Sequence, residues 1–360
     1  MLADGFVWRF GARTGALARP WLPIERLPKP LLCVPLVLQW MMLALRHRSL
    51  TLPSAINPAI ETGGLAGESK SAVLGQIGPA LGSYVAAWTV VVPGADPAAV
   101  RHAAGFAYPI IAKPDVGWCG YGVCRIADDA ALRAYAAAFP ADGTIILQRL
   151  VTAPNEAGLF YVREPGAARG ALMGIAVRHT PHVTGDGAHS VRDLIGNSPR
   201  TRRRGTYYAG LMDPATLARI PGAGERVALT TIASLRVGAR YEDASAQATP
   251  ALAAVIDAIA LSMPHFHLGR FDVRFDGMAA LRRGEFQVIE INGAGSEAIQ
   301  FWDPALPLGK AFAGVFAKQA LLFRLGAAMR DRGVRPVGVV ALSRAWLRQR
   351  RLIGAYPASN

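Results

Sequence analysis

The sequence predicts a mixed α/β (α+β) protein of two or three packed subdomains, on three observations. From about Ser49 onward, short β-branched or aromatic runs alternate with helical stretches, separated by Gly, Pro and Asp turns. Candidate strands stand close together along the chain, which favours antiparallel hairpins over a purely parallel doubly wound sheet. At 360 residues, 52% hydrophobic and only 18% charged, the chain can bury a large apolar interior. Those values exclude an intrinsically disordered protein and an isolated peptide-binding module.

Taken in order, the first twenty residues carry Arg9, Arg13 and Arg19, so no signal peptide is expected. Residues 31–45 (LLCVPLVLQWMMLAL) are the membrane candidate, yet with Pro35 and Gln39 they fall short of the roughly 20 apolar residues that spanning needs. Two readings stand: a helix buried against the main domain or a dimer partner, and a helix lying on an anionic membrane surface. Arg26, Lys29, Arg46 and Arg48 flank the segment, with Trp21 and Trp40 nearby, as the second reading requires. Strands are expected at 88–92, 109–112, 143–148, 159–163 and 171–177, with a further pair within 268–291. Helices are expected at 69–77, 128–138, 250–261 and 309–330. Beyond Arg330 the many arginines read as a solvated basic tail.

With 39 basic against 25 acidic residues, the net charge of +14 favours an anionic partner: nucleotide, phosphate, nucleic acid or acidic lipid. Of the basic residues 34 are Arg and five are Lys, at positions 29, 70, 113, 310 and 318. Retained lysines are expected where a slim ammonium works better than a planar fork. Cys33, Cys119 and Cys124 form neither a CxxC pair nor a zinc-spaced cluster, which points to a reducing cytoplasm. His265 and His267 lack a third soft ligand nearby, so packing is expected of them. The chain has no RNP, zinc-finger or helix-turn-helix pattern, which leaves nucleic acid without a motif.

Three stretches carry chemistry. In PIIAKPDVGWCGYGV (109–123), an apolar strand ends in Lys113 and is followed by a loop with Gly117, Gly120 and Gly122. Glycines let backbone amides approach a phosphate chain, and Lys113 can meet its charge; a plain Gly-rich turn has the same composition. The order fits neither a Walker nor a Rossmann pattern. In 269–298, alternation puts Arg270, Asp272, Arg274 and Asp276 on one face, and Glu290 and Asn292 on one face of the next strand. With 277–284 as the connection, Asp272 and Glu290 meet across a hairpin. Two carboxylates and an amide oxygen suit magnesium, whose other positions go to water and substrate phosphates. A solvated sheet face with cross-strand ion pairs is the alternative. The third stretch, VTGDGAHSVRDLI (183–195), is a Gly-Asp-Gly turn leading to Ser190 as the N-cap of a short helix.

In this order the stretches resemble the ATP-grasp superfamily of carboxylate-amine ligases, over about residues 69–330. The resemblance implies an ATP-grasp fold, two α+β lobes gripping the nucleotide, here with a helical N-terminal extension unlike the family's usual N-terminal lobe. The implied domains are the extension at 1–68, a pre-ATP-grasp segment and small nucleotide-binding lobe at 69–150, a large lobe with the metal site at 151–330, and the basic tail at 331–360. Lys70 in GESKSAVLGQI and Lys113 match the family's phosphate-contacting lysines. LQRLVTAPNE (147–156) resembles the hinge, with Gln148 among the nucleotide contacts, backbone at Arg149 and Val151 meeting adenine, and Glu156 the ribose. Arg178 stands where a further phosphate contact is expected. Asp272, Glu290 and Asn292 match the metal ligands, and Arg270 matches the arginine that stabilises transferring charge; Lys113 and Arg270 are the implied catalytic pair.

After the metal Asn, ligases that join D-alanine continue Thr-x-Pro-Gly, whereas this chain has Gly293, Ala294, Gly295, Ser296 and Glu297, which speaks against D-alanine. RTRRRGTYY (200–208) reads as a solvated charge run, with contact to an anionic substrate as the alternative. The implied function is a cytoplasmic ligase, dependent on ATP and Mg²⁺ with Mn²⁺ as a substitute. It would join a small-molecule carboxylate to an amine through an acyl phosphate, without nucleic acid. A homodimer and peripheral membrane contact stay open, and the rival reading is a non-catalytic ATP-binding or membrane-peripheral scaffold with the same fold.

Overall fold

A computed structural model describes residues 23–360; Arg9, Arg13, Arg19 and Trp21 lie outside the described residues. In chain order the elements are α1 (Lys29–His47), α2 (Lys70–Leu74), β1 (Trp88–Val91), α3 (Pro97–Ala103), β2 (Ile110–Pro114) and β3 (Cys124–Ile126). Next come α4 (Asp129–Ala137), β4 (Ile145–Arg149), β5 (Asn155–Val162), β6 (Ala171–His179), β7 (His182–Thr184) and α5 (Val191–Asn197). They are followed by α6 (Gly205–Leu211), α7 (Pro214–Ala218), β8 (Arg226–Ala228), β9 (Arg240–Asp243) and α8 (Pro250–Ser262). Last are β10 (Leu268–Phe275), α9 (Met278–Arg283), β11 (Gln287–Asn292), α10 (Leu308–Arg330) and α11 (Val339–Ala355). Helix and sheet are mixed, and the sheets are built on antiparallel pairs.

Two compact units arise, each from separate stretches of chain. The first takes residues up to 87, 151–177 and 241–354; the second takes 88–150, 178–240 and 355–360. The continuous domains expected from sequence give way to this interleaving because sheet partners lie far apart: β10 pairs along its whole length with β5, more than a hundred residues earlier. One boundary, between Leu150 and Val151, falls inside LQRLVTAPNE.

The first unit holds a five-stranded sheet ordered β11-β10-β5-β6-β9. Helix α10 packs Leu321, Leu322 and Leu325 with Phe160, Leu268 and Phe301. Residues 51–57, expected to belong to an extension outside the fold, are buried without exception. Their turn lies directly on α10 at Gly326, where a Cβ would sit 2.6 Å from the Leu52 carbonyl. Asn57, wholly buried, ties this segment to the start of β10. Its Nδ2 donates to Gly63 O (3.2 Å) and Leu268 O (2.8 Å), and its Oδ1 accepts from His267 N (2.8 Å) and Leu268 N (3.2 Å). Helix α1 is not buried against the main domain, as one form of the first reading had it: within the chain Ala44 is its one buried residue.

The arginine-rich C-terminal segment is not a free tail. Leu342, Ala345, Gln349 and Leu352 turn inward at helical spacing, Ala345 and Leu352 are buried, and Arg348 pairs with Glu61 at 2.8 Å. A stripe this narrow, set among arginines, is easily read as solvated.

The second unit contains a four-stranded sheet ordered β1-β4-β2-β3, antiparallel throughout. Asp96 and Asp128 cap α3 and α4 by accepting from Ala98 N and Ala131 N. The core gathers Phe106, Ile110, Leu132, Tyr135 and Leu147. A smaller cluster forms around α5–α7 with β7 and β8, and Ser190 with Asp193 makes a reciprocal capping box on α5. Residues 200–208 are only partly a solvated run. Arg204 donates to the Leu235 and Arg236 carbonyls, and fully buried Tyr208 donates to Val237 O.

Two outcomes test the Asn57 knot. Asn57→Ala takes a hydrogen bond from four buried backbone groups, of which Gly63 O keeps Ala294 N, and is expected to cost about 3 kcal/mol in urea unfolding. His267, 6% exposed, has its pKa pushed down to about 4 by burial, with Arg163 adding to the effect. The unfolded chain takes up this proton near pH 6.5 and the folded one only near 4, so stability is expected to fall as pH drops through that window. His267→Gln should flatten that part of the pH profile.

Candidate active site

In β10 and β11 the alternation read from sequence becomes a register. Asp272 stands opposite Glu290 and Arg270 opposite Asn292, so all four side chains share one face. Val273 pairs with Val288, leaving Ile289 as the extra residue of a bulge. The connection expected at 277–284 is α9, bounded by Gly277 and Gly284.

Asp272 is 2% exposed and its charge is met at once. Oδ1 accepts from Arg270 Nε at 2.6 Å, and Oδ2 accepts from Arg270 Nη2 at 3.0 Å and Asn292 Nδ2 at 3.3 Å. The forked geometry is the strong form of an ion pair. Room for the arginine stem comes from the neighbouring strand, where Gly158 faces Asp272; a Cβ there would lie 2.8 Å from Arg270 Cδ. Glu290 is partly open, and its Oε1 lies 3.8 Å from the Nζ of buried Lys70. Lys70 opens α2, held in place by the Ser69 cap on Ala72 N.

The loop after Asn292 is fixed by backbone contact. Ala294 N donates to Gly63 O (3.0 Å) and Gly295 N to Gly64 O (2.7 Å). Approach is so close that a Cβ on Gly293 would fall 2.8 Å from both Gly63 O and Gly64 Cα. Glu68 accepts from Gly293 N at 3.1 Å, and burial pushes its carboxyl up to about 7 against the pull of that hydrogen bond and of Lys70. Sequence reasoning missed Glu68; its position two residues before Lys70 was the available signal.

In the second unit Lys113 is 4% exposed and donates to Gln148 Oε1 at 2.8 Å across the β2–β4 pair. Gly120 and Gly122 both have positive φ. Their loop is pinned by groups that sequence gave no reason to choose: Arg236 donates to the Cys119 and Gly120 carbonyls and lies 4.1 Å over the Tyr121 ring, while Gly122 N donates to Ser359 Oγ. Arg178 donates twice to Ala233 O, at 2.9 and 2.6 Å. Arg149 closes β4.

Lys70, Arg270, Asp272, Glu290 and Asn292 are therefore brought together within the first unit. Glu156 belongs to the same sheet, where it pairs with Arg274 at 3.4 Å, and Val151 belongs to the same unit. Lys113, Gly117, Gly120, Gly122, Gln148, Arg149 and Arg178 belong to the second. Lys70 was expected in the small nucleotide-binding lobe with Lys113; the two lie in different units. Among the described residues no group of three or more His, Cys, Asp or Glu gathers, and the candidate metal set is two carboxylates with an amide.

The Arg270–Asp272 pair can be weighed by a double-mutant cycle. Asp272→Leu takes the forked carboxylate from a largely buried guanidinium and is expected to cost about 3 kcal/mol, whereas adding Arg270→Met should recover at least about half of it. Urea midpoints of the two singles and the double check this.

Neither a protein-family model nor a curated protein matches the chain. Solved structures do. A bifunctional glutathione synthetase from Pasteurella multocida is 15% identical, over 71% of this chain and 36% of that one, with a TM-score of 0.37. D-cycloserine synthetase DcsG is 18% identical, over 73% and 71%, with a TM-score of 0.39. A D-alanine–D-alanine ligase from Bacillus anthracis is 12% identical, over 74% and 68%, with a TM-score of 0.41. The chain thus spans 36% of the length of the glutathione synthetase, and each is a protein it is similar to.

Proposed function

We propose that the protein is an ATP- and Mg²⁺-dependent carboxylate-amine ligase of the ATP-grasp type. The supporting observation is the shared face of β10 and β11, where Asp272, Glu290 and Asn292 stand beside Arg270 and Lys70. Hard oxygen donors in this number fit Mg²⁺ or Mn²⁺, which takes one or two carboxylates and leaves its other positions to water and phosphate oxygens. Those three residues would hold the cation, and when bound it supplies neutralisation of phosphate charge.

The rest is electrostatic and needs no side-chain nucleophile. Arg270 and Lys70 carry positive charge beside the carboxylates and stabilise a transferring phosphoryl group. Lys113, held on Gln148, binds phosphate as a point charge, with Arg178 and the loop at Gly117, Gly120 and Gly122 as further contacts. The γ-phosphoryl passes to a carboxylate oxygen and ADP leaves. The amine lone pair then attacks the acyl carbon, the bond to phosphate breaks, and the amine gives up a proton. Glu68, with its carboxyl near pH 7, is suited to accept it.

For the organic substrate we assign the cavity of about 160 Å³ lined by Leu36, Trp40, Glu297, Trp302, Lys318 and Leu322. Lys318 is 9% exposed, burial draws its pKa down to about 8, and its Nζ donates to Ala294 O at 3.1 Å. This ammonium stands beside the Glu297 carboxyl in a cavity whose other walls are largely apolar, a setting in which it can meet a carboxylate on an apolar body. Arg270 Nη1, donating to Glu297 O at 3.2 Å, ties this cavity to the phosphate-handling face.

The test is Mg-ATP with pooled metabolites, following ADP release and new product masses. Glu290→Gln keeps the side-chain shape and is expected to lower turnover at least about 100-fold, and Lys113→Ala to weaken ATP binding by about tenfold or more. Wild-type turnover in Glu290→Gln would overturn the metal assignment. ATP binding without ADP release under any substrate would favour the scaffold reading.

A further inference from the structure

Helix α1 is apolar on nearly every side, yet among the described residues only one side is covered. Gln39 Nε2 donates to Phe316 O at 3.0 Å, Trp40 Nε1 donates to Leu50 O at 3.1 Å, and the Trp40 ring meets Phe323 edge-on with centroids 5.0 Å apart. Ala44 packs with Leu52 and Phe323. The opposite side presents Leu31, Val34, Leu38, Met41, Met42 and Leu45, with exposures of 61, 54, 65, 46, 62 and 76%. Positions 31, 34, 38, 41 and 45 follow the three-and-four spacing of one continuous helical stripe. Soluble monomers rarely leave so many large apolar side chains together in water.

Charge decides what covers the stripe. Arg26 and Lys29 are exposed at one end and Arg46 and Arg48 at the other, with no Asp or Glu from 29 to 48. A second copy laid on the stripe brings basic end onto basic end in either orientation. Anionic headgroups meet both ends at once, while the acyl boundary beneath them takes the apolar side chains. Spanning is a different matter. At 19 residues α1 is about 28 Å long, near the hydrocarbon thickness, but Gln39 and Trp40 fix its other side to the folded unit.

We propose that the uncovered face of α1 is a docking surface for an anionic membrane, with the helix lying in the plane of the interface. This goes beyond the ligase reading and does not depend on it. The whole protein is to be sedimented with vesicles of phosphatidylcholine alone and of phosphatidylcholine with phosphatidylglycerol. Binding is expected on the anionic vesicles, at least about tenfold tighter than on the neutral ones, and should fall steeply between about 0.1 M and about 1 M salt.

Val34→Gln, Leu38→Gln, Met41→Gln and Leu45→Gln together should abolish binding while leaving thermal unfolding and any ATP turnover unchanged, because these side chains already face water. Lys29→Gln with Arg46→Gln, a milder pair, should weaken binding to anionic vesicles alone. Absence of binding to anionic vesicles at low salt, or binding that survives the fourfold variant, overturns the proposal. A dimer that the fourfold variant dissociates, without vesicle binding, makes the face a self-association surface. Membrane association that resists alkaline carbonate extraction overturns the in-plane placement.

Discussion

Everything around the carboxylate face rests on backbone meeting backbone where Gly63 and Gly64 lie against Gly293 and Gly295. Two amide-to-carbonyl hydrogen bonds close the contact, and no room is left for a Cβ on Gly64, Gly293 or Gly295. Asn292 is the residue before this contact, and Glu68 and Lys70 lie a few residues beyond its other strand. One close approach therefore sets an amide donor, a carboxyl with a raised pKa and an ammonium around the same pair of acidic residues.

The contact is in turn held from behind. Asn57 fastens Gly63 to the first residue of β10, and the turn at 52–55 seats on α10 through Gly326. Lys318, from the same helix, reaches the carbonyl of Ala294 in the middle of the loop. Helix α10 thus supports both strands of the contact and lines the cavity assigned to the organic substrate. Strain in any of these would be felt at Asn292, the end of edge strand β11, before it reached β10, which is paired on both sides.

The carboxylate face was legible in the sequence because strand alternation has a period of two and the connection at 277–284 is short, which together pin Asp272 opposite Glu290. Lys113 was legible as a rare lysine at a strand end. Residues 52–68 were not: they have no regular period, and those of them that are buried, among them 52–57 and 62–64, are so through turns and glycine contacts, in part with chain more than two hundred residues away. Glu68 went unread for the same reason, since its setting is made by Gly293. Arg236, which pins the glycine loop, lies 116 residues from Gly120 and belongs to no local pattern. In α11 the inward stripe is hidden among arginines, and the interleaved units cannot be seen in any continuous stretch.

The most direct measurement is the affinity of the whole protein for Mn²⁺ with ATP, by titration calorimetry, in Gly293→Ala. Its added methyl would meet Gly63 O and Gly64 Cα while asking for no unusual backbone angle; Gly82→Ala, which meets nothing within 4 Å, is the control. With the glycine contact as the positioning element, Gly293→Ala should lose at least about tenfold in affinity, with its helix and sheet content unchanged and Gly82→Ala like wild type. Wild-type affinity in folded Gly293→Ala would contradict it, and the carboxylates would then owe their placement to the sheet alone.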